Sequence, residues 1–267
     1  MVHVRKVMAV LAAVLLVSGC APVATPEPSV PPASPTASAP AASPDASSAA
    51  PETSFPEASE TPAPTPQWDV ATASSLQVVV NKLRPMDPPD FAPELVAVST
   101  GQEGGELVRP ELDAALRELD AAMRAAIGEG TYVTSSYRSS ALQAQYYQDA
   151  IARFGQAAAD TTSARPGHSE HQTGLAIDVM STALECRLAR CFGETVAGRW
   201  IAANAWEHGF VVRYPEGSDA VTGYAWEPWH LRFVGAEVST AMHESGTATL
   251  EEHFGLEPAP GYAEPAP

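Results

Sequence analysis

Gly167-His168-Ser169-Glu170-His171-Gln172-Thr173-Gly174-Leu175-Ala176-Ile177-Asp178 sets two imidazoles in a polar loop directly ahead of an apolar strand. Gly174 permits a tight entry from loop to strand, and the alternation from Leu175 to Met180 has the two-residue period of a strand. Asp178 therefore falls on the opposite strand face from Leu175, Ile177 and Val179, where a loop histidine can meet it without entering the core. A second cluster, Glu227-Pro228-Trp229-His230, puts a carboxylate three residues before an imidazole. Pro228 biases Glu227 toward an extended backbone. Along a flat strand those two side chains point apart, so a turn or twist is required if both serve one site.

Outward from these clusters, Leu112, Leu116, Leu119, Met123 and Ile127 recur at spacings of three and four, which predicts a helix from about Pro110 to Ile127 ended by Gly128 and Gly130. Tyr132-Val133-Thr134 reads as a short strand and Ser140 to Phe154 as a helix stopped by Gly155. Val196 to Glu207 is expected to be helical up to Gly209, Phe210 to Tyr214 a strand, and Gly235 to about His243 a helix. Ordered structure should begin near Trp68 to Leu76, with Leu76-Gln77-Val78-Val79-Val80 as the first β-rich run. Helices and short strands mix without a regular repeat. The expected class is α+β, a small antiparallel sheet flanked by helices around a cleft.

The 267 residues carry a formal net charge of -17, and no Lys or Arg lies between Lys6 and Lys82. No basic stripe exists to neutralise phosphates, which argues against nucleic-acid binding. Residues 1–20 read as a signal peptide: Arg5 and Lys6 open it, Val7 to Val17 is apolar, and Val17-Ser18-Gly19-Cys20 resembles a bacterial lipobox, which would make Cys20 the lipidated mature N-terminus. From Ala21 to Gln67 the chain is mostly Pro, Ala, Ser and Thr, holding 13 of the 25 prolines. That composition predicts a disordered spacer with a reach of roughly 100 Å. One globular domain, residues 68–255, should follow, and residues 256–267, rich in Pro, Ala and Glu, are expected to fray. Cys186 and Cys191 are placed for a short-loop disulfide in an oxidising compartment, the alternative being two buried thiols.

A hydrolytic zinc site takes three ligands from His and carboxylate and leaves a fourth position for water. Asp178 and His230 supply two, and either His171 or His168 the third, with spacing favouring His171 only slightly. Glu227 would then stand over the bound water as its base. Reading Asp178 and Glu227 as a glycosidase acid pair leaves the imidazoles unexplained. His3, His208, His243 and His253 receive no role.

Several motifs in order resemble the VanY-type D-alanyl-D-alanine carboxypeptidases, zinc peptidases of the LAS type. They are Ser135-Ser136-Tyr137-Arg138-Ser139 with Gln143, Ser169 to Asp178, Gly209 to Pro215, Thr222-Gly223-Tyr224, and Glu227 to Arg232, with Asn81-Lys82 and Arg84-Pro85 as an opening segment. The resemblance runs from about Leu76 to Gly235. It implies one Zn2+ per domain held by His171, Asp178 and His230, with Glu227 as catalytic base. It further implies that Arg138, helped by Gln143 and Ser169, receives the terminal carboxylate of a peptidoglycan stem peptide ending in D-Ala-D-Ala. Ser218 and Asp219 depart from the family, where a basic residue commonly follows this stretch, and the Cys186 to Cys191 insertion should reshape one wall of the groove. An endopeptidase, a D-Ala-D-Ala dipeptidase and a non-catalytic wall-binding module remain as alternatives. The expected setting is the outer face of a bacterial cytoplasmic membrane, with the lipid as the membrane contact and a monomeric domain acting in the wall.

Overall fold

Helix α1 (Pro110–Ile127) forms where the apolar spacing predicts it, with Pro110 at its first turn and Gly128 closing it in the left-handed conformation. Leu112, Leu116, Leu119 and Met123 are wholly buried on one face, each contributing about 1.5–3 kcal/mol of transfer free energy. The structure is a computed structural model, described here for residues 68–263. The signal peptide, Cys20 and the spacer to Gln67 lie outside the described residues.

Ahead of α1 come three two-residue strands, β1 (Val96–Ala97), β2 (Gly101–Gln102) and β3 (Leu107–Val108). After it follow β4 (Thr131–Ser135), α2 (Ser140–Phe154), α3 (Gln156–Thr162), β5 (Ala176–Ser181), α4 (Val196–Asn204), β6 (Phe210–Tyr214), α5 (Asp219–Thr222), β7 (Glu227–Phe233), α6 (Ala236–Ser245) and α7 (Leu250–His253). Ser139 caps α2 by accepting a hydrogen bond from the Leu142 amide. The sheet order is β2-β4-β5-β7-β6. All pairs are antiparallel except the short edge pair of β2 with β4, so the α+β expectation holds with a parallel edge added. Strand β5 lies central and all six of its residues are buried. The main core fills the space between this sheet and helices α1 and α4, with Ile177, Val179, Leu231 and Phe210 meeting Leu116, Met123 and Ile201.

Three expectations need correction. Leu76 to Val80 is not a strand, although Val78, Val79 and Val80 are buried. Its carbonyls are satisfied by arginines rather than a ladder: Arg232 Nη2 donates to Leu76 O and Val78 O, and Arg84 Nε to Val79 O. The helix read over Val196 to Glu207 leaves α geometry at Asn204 and tightens into a 3-10 turn, Ala205–His208, before Gly209. Residues 256–263 do not fray. Ala259 is fully buried and its amide donates to Val221 O at 2.7 Å, while the Leu256 amide donates to Glu251 O at 2.8 Å. Composition hid these contacts because each is made by backbone.

Candidate metal centre and substrate groove

Two strands and one turn bring the predicted ligands together. The 3-10 turn Glu170–Thr173 carries His171 and ends at Gly174, whose φ is +69° and whose missing Cβ would lie 3.0 Å from both Arg109 and Pro93 side-chain atoms. Asp178 on β5 is the direct cross-strand partner of His230 on β7, an arrangement that sets their side chains next to each other. His171 Nε2 lies 3.4 Å from Asp178 Oδ2, and His230 Nδ1 3.1 Å from Asp178 Oδ1. The two rings stand edge to face with centroids 4.9 Å apart. One ligand atom from each residue falls within 4.8 Å of the others.

The donor chemistry fits a divalent cation. Asp178 Oδ1 is buried and, among the described residues, makes no hydrogen bond of good geometry, with His230 Nδ1 facing it at 3.1 Å; a bound cation would satisfy it. His171 Nδ1 lies 2.7 Å from Ser136 O; donating there fixes the tautomer that leaves Nε2 a free lone pair facing Asp178. Burial and the Arg138 charge push the His171 pKa down to about 4, favouring the neutral ligand form. His230 behaves oppositely: burial would lower it, yet Asp178 and Glu170 hold its pKa up to about 9. A bound cation would displace that proton. His168, the competing ligand in sequence, is elsewhere, its Nδ1 2.8 Å from Asn81 O and its ring against Tyr262.

Glu227 stands beside this set, Oε2 at 3.8 Å from His230 Nδ1. The twist that the three-residue spacing requires is a bulge: Val212 pairs with Leu231 but Tyr214 pairs with Glu227, so β7 takes four steps where β6 takes two. Burial raises the Glu227 pKa to about 7, with Asp178 adding to the rise and His230 and Arg138 opposing it, which brings it into the range suited to a general base.

The site opens into a cavity of about 750 Å3 whose lining includes Arg138, Gln143, Ser169, Tyr214 and Trp229. Arg138 Nη1 donates to Ser135 Oγ at 2.7 Å and Nε to Gln143 Oε1 at 3.0 Å, while Asp178 Oδ2 is 3.7 Å away. Ser169 is buried in the same wall, but among the described residues no hydrogen bond joins its hydroxyl to Arg138 or Gln143. Cys186 and Cys191 are disulfide-bonded, and the loop they close contributes Arg187, Leu188 and Arg190 to the cavity wall. The 3-10 turn after it packs Gly193 on Trp226, where a Cβ would come within 2.4 Å of the indole.

Sequence reasoning missed the charges behind the site. Glu170 is fully buried, and its Oε1 accepts from Arg213 Nε at 2.8 Å and Arg232 Nη1 at 3.0 Å. Its Oε2 faces His230 Nε2 at 3.6 Å. Arg213 makes a two-pronged pair with Glu251 at 2.9 and 2.7 Å, and Asn81 donates to that carboxylate as well. The available signal was a cation flanked by large apolar residues in each of two strands, Arg213 after Val211 and Val212 in β6 and Arg232 between Leu231 and Phe233 in β7, since buried cations require partners.

A family model described as VanY, D-alanyl-D-alanine carboxypeptidase, matches residues 105–236. A solved structure of VanYB with D-alanine-D-alanine is 32% identical with a TM-score of 0.59, the match covering 68% of this chain and 97% of that one. The chain belongs to the VanY family. Another VanY-type structure, a D,D-pentapeptidase in complex with Zn(II), is likewise 32% identical, with a TM-score of 0.58 over 67% of this chain and 98% of its own. The LdcB LD-carboxypeptidase gives a TM-score of 0.64 at 32% identity, over 69% and 88%. Among curated relatives, the D-alanyl-D-alanine carboxypeptidase of Enterococcus faecalis is 32% identical over 191 residues, 67% of this chain and 66% of that protein. YodJ of Bacillus subtilis is 38% identical over 153 residues, 57% of this chain and 52% of YodJ. The chain thus spans between about half and two thirds of these two curated relatives.

Proposed function

We propose that the chain is a zinc-dependent D-alanyl-D-alanine carboxypeptidase that releases the terminal D-Ala from peptidoglycan stem peptides. The observation that carries this reading is the convergence of His171, Asp178 and His230 beside a raised-pKa carboxylate, Glu227, at the floor of a groove that also holds Arg138. His171, Asp178 and His230 would hold the zinc, which supplies a Lewis acid to polarise the scissile carbonyl and acidify a water. Glu227 takes the proton of the attacking water and passes it to the leaving D-Ala amine. Arg138 grips the terminal carboxylate through parallel hydrogen bonds and so sets the distance from chain end to scissile bond, with Gln143 bracing its Nε. Ser169 contributes a hydroxyl from the same cavity lining.

The test is incubation of the zinc-loaded protein with a pentapeptide precursor, with products read by mass. Loss of one alanine supports the proposal. Loss of a dipeptide, or cleavage within the stem, would move the assignment to an endopeptidase or dipeptidase, and no cleavage at all would leave a wall-binding module. The higher TM-score to the LdcB LD-carboxypeptidase favours a second reading, removal of D-Ala from a tetrapeptide. A tetrapeptide in the same assay separates the two.

Residues 1–20 are read as a lipoprotein signal and Cys20 as the acylated N-terminus, with residues 21–67 as a spacer. On this reading a monomeric domain works within the wall on the outer face of the cytoplasmic membrane.

A further inference from the structure

The matched family region ends at residue 236, yet the chain continues to the back of the loop that precedes the site. Residues 256–263 run from α7 to the loop that precedes the metal-ligand turn, and Tyr262 ends the run at that loop. Its hydroxyl accepts the Arg165 amide at 2.8 Å and meets the Tyr224 hydroxyl at 3.2 Å. The Arg165 guanidinium lies 4.0 Å over the Tyr262 ring, and the His168 ring meets its edge at 5.1 Å. Lys82 holds the tail from the other side, donating to Pro260 O at 3.5 Å and to Gly223 O. The fit is close: a Cβ on Gly223 would come within 2.5 Å of Ala259 O.

One residue before Arg165, Ala164 O accepts from Gln143 Nε2 at 2.7 Å. The other end of that amide, Gln143 Oε1, accepts from Arg138 Nε at 3.0 Å. Gln143 is buried and spans the two, so a displacement of Ala164 is passed to the guanidinium. A two-pronged grip on a carboxylate tolerates little misalignment.

We propose that Tyr262 is a positioning residue for the substrate-carboxylate site, holding residues 163–165 from behind and through them Gln143 and Arg138. The inference rests on the reading that Arg138 takes the terminal carboxylate. The C-terminal tail is then a strap behind the wall of the groove, contributed by a segment outside the matched family region.

The test compares zinc-loaded full-length protein and Tyr262→Phe on acetyl-L-Lys-D-Ala-D-Ala and on its C-terminal amide. Losing one hydroxyl acceptor should raise KM for the free acid about five- to tenfold, with kcat changed by less than about twofold. Zinc content and the kinetics on the amide should be unchanged. In an Arg138→Ala background, Tyr262→Phe should add nothing. Any loss of folded protein lowers both rates equally, so the ratio of kcat/KM between acid and amide reads the coupling alone. A wild-type ratio in Tyr262→Phe, while Arg138→Ala lowers that ratio, would overturn the strap and leave the Arg138 reading standing. An Arg138→Ala variant that loses acid and amide equally would sink the carboxylate reading and this inference with it.

Discussion

Glu170→Gln is expected to unbalance the buried charge cluster behind the metal ligands. In the wild type two carboxylates, Glu170 and Glu251, face two guanidiniums, Arg213 and Arg232, all without solvent exposure. The substitution leaves two cations with one anion in a region closed to bulk solvent. Breaking a buried pair by removing one partner costs about 3–5 kcal/mol, which for a domain of this size corresponds to a fall in Tm of roughly 6–20 °C. The same carboxylate faces His230 Nε2 at 3.6 Å, so its loss should also weaken zinc affinity about 10- to 100-fold. Two measurements separate the effects: thermal melts of the chelated protein, and competitive zinc titration of the folded protein. Glu251→Gln removes an equal charge from Arg213 without facing His230, so it should lower the melt comparably and spare zinc affinity. An apo Glu170→Gln melt within about 2 °C of wild type would refute the idea that this carboxylate balances the cluster.

Glu227→Ala should keep its zinc, measured by elemental analysis, while D-Ala release falls by about 10²- to 10⁴-fold as the general base is lost; retained activity would reassign the base. Stability should also fall with acid. Burial would raise the pKa values of Glu170 and Glu251, but the paired arginines outweigh it and hold both below the ordinary 4.5. The folded state therefore binds fewer protons than the unfolded chain, so this stabilisation is in place above pH 4.5 and is lost as pH falls beneath it. Denaturant midpoints that stay level from pH 6 to pH 3 would contradict the pairing. Cys20→Ser should release the protein from the membrane fraction into the medium, read by fractionation and immunoblot; unchanged membrane recovery would refute lipid anchoring.

Local grammar carried much of the architecture. The helices at Pro110–Ile127 and Ser140–Phe154 and the strand at Phe210–Tyr214 follow from apolar period and terminal glycines, signals that act within a few residues. The ligand set was legible for a different reason: the residue types that chemistry demands stand in two short clusters, and family resemblance chose His171 over His168. Leu76 to Val80 misled because β-branched residues report burial as readily as pairing, and here Arg232 and Arg84 take the carbonyls a neighbouring strand would have used.

The sequence by itself determined the main helices and strands, the candidate ligands and base, and the disparity in composition between residues 21–67, poor in large apolar side chains, and the domain that follows. Tertiary structure alone decided that Asp178 and His230 are cross-strand partners, that a bulge turns Glu227 toward them, and that Glu170 and the arginines share one buried cluster. It also decided that the tail after Gly255 returns to the loop that precedes the metal-ligand turn. Those features depend on groups far apart in the chain meeting in space, and neither period nor composition records which distant backbone or charge will be the partner.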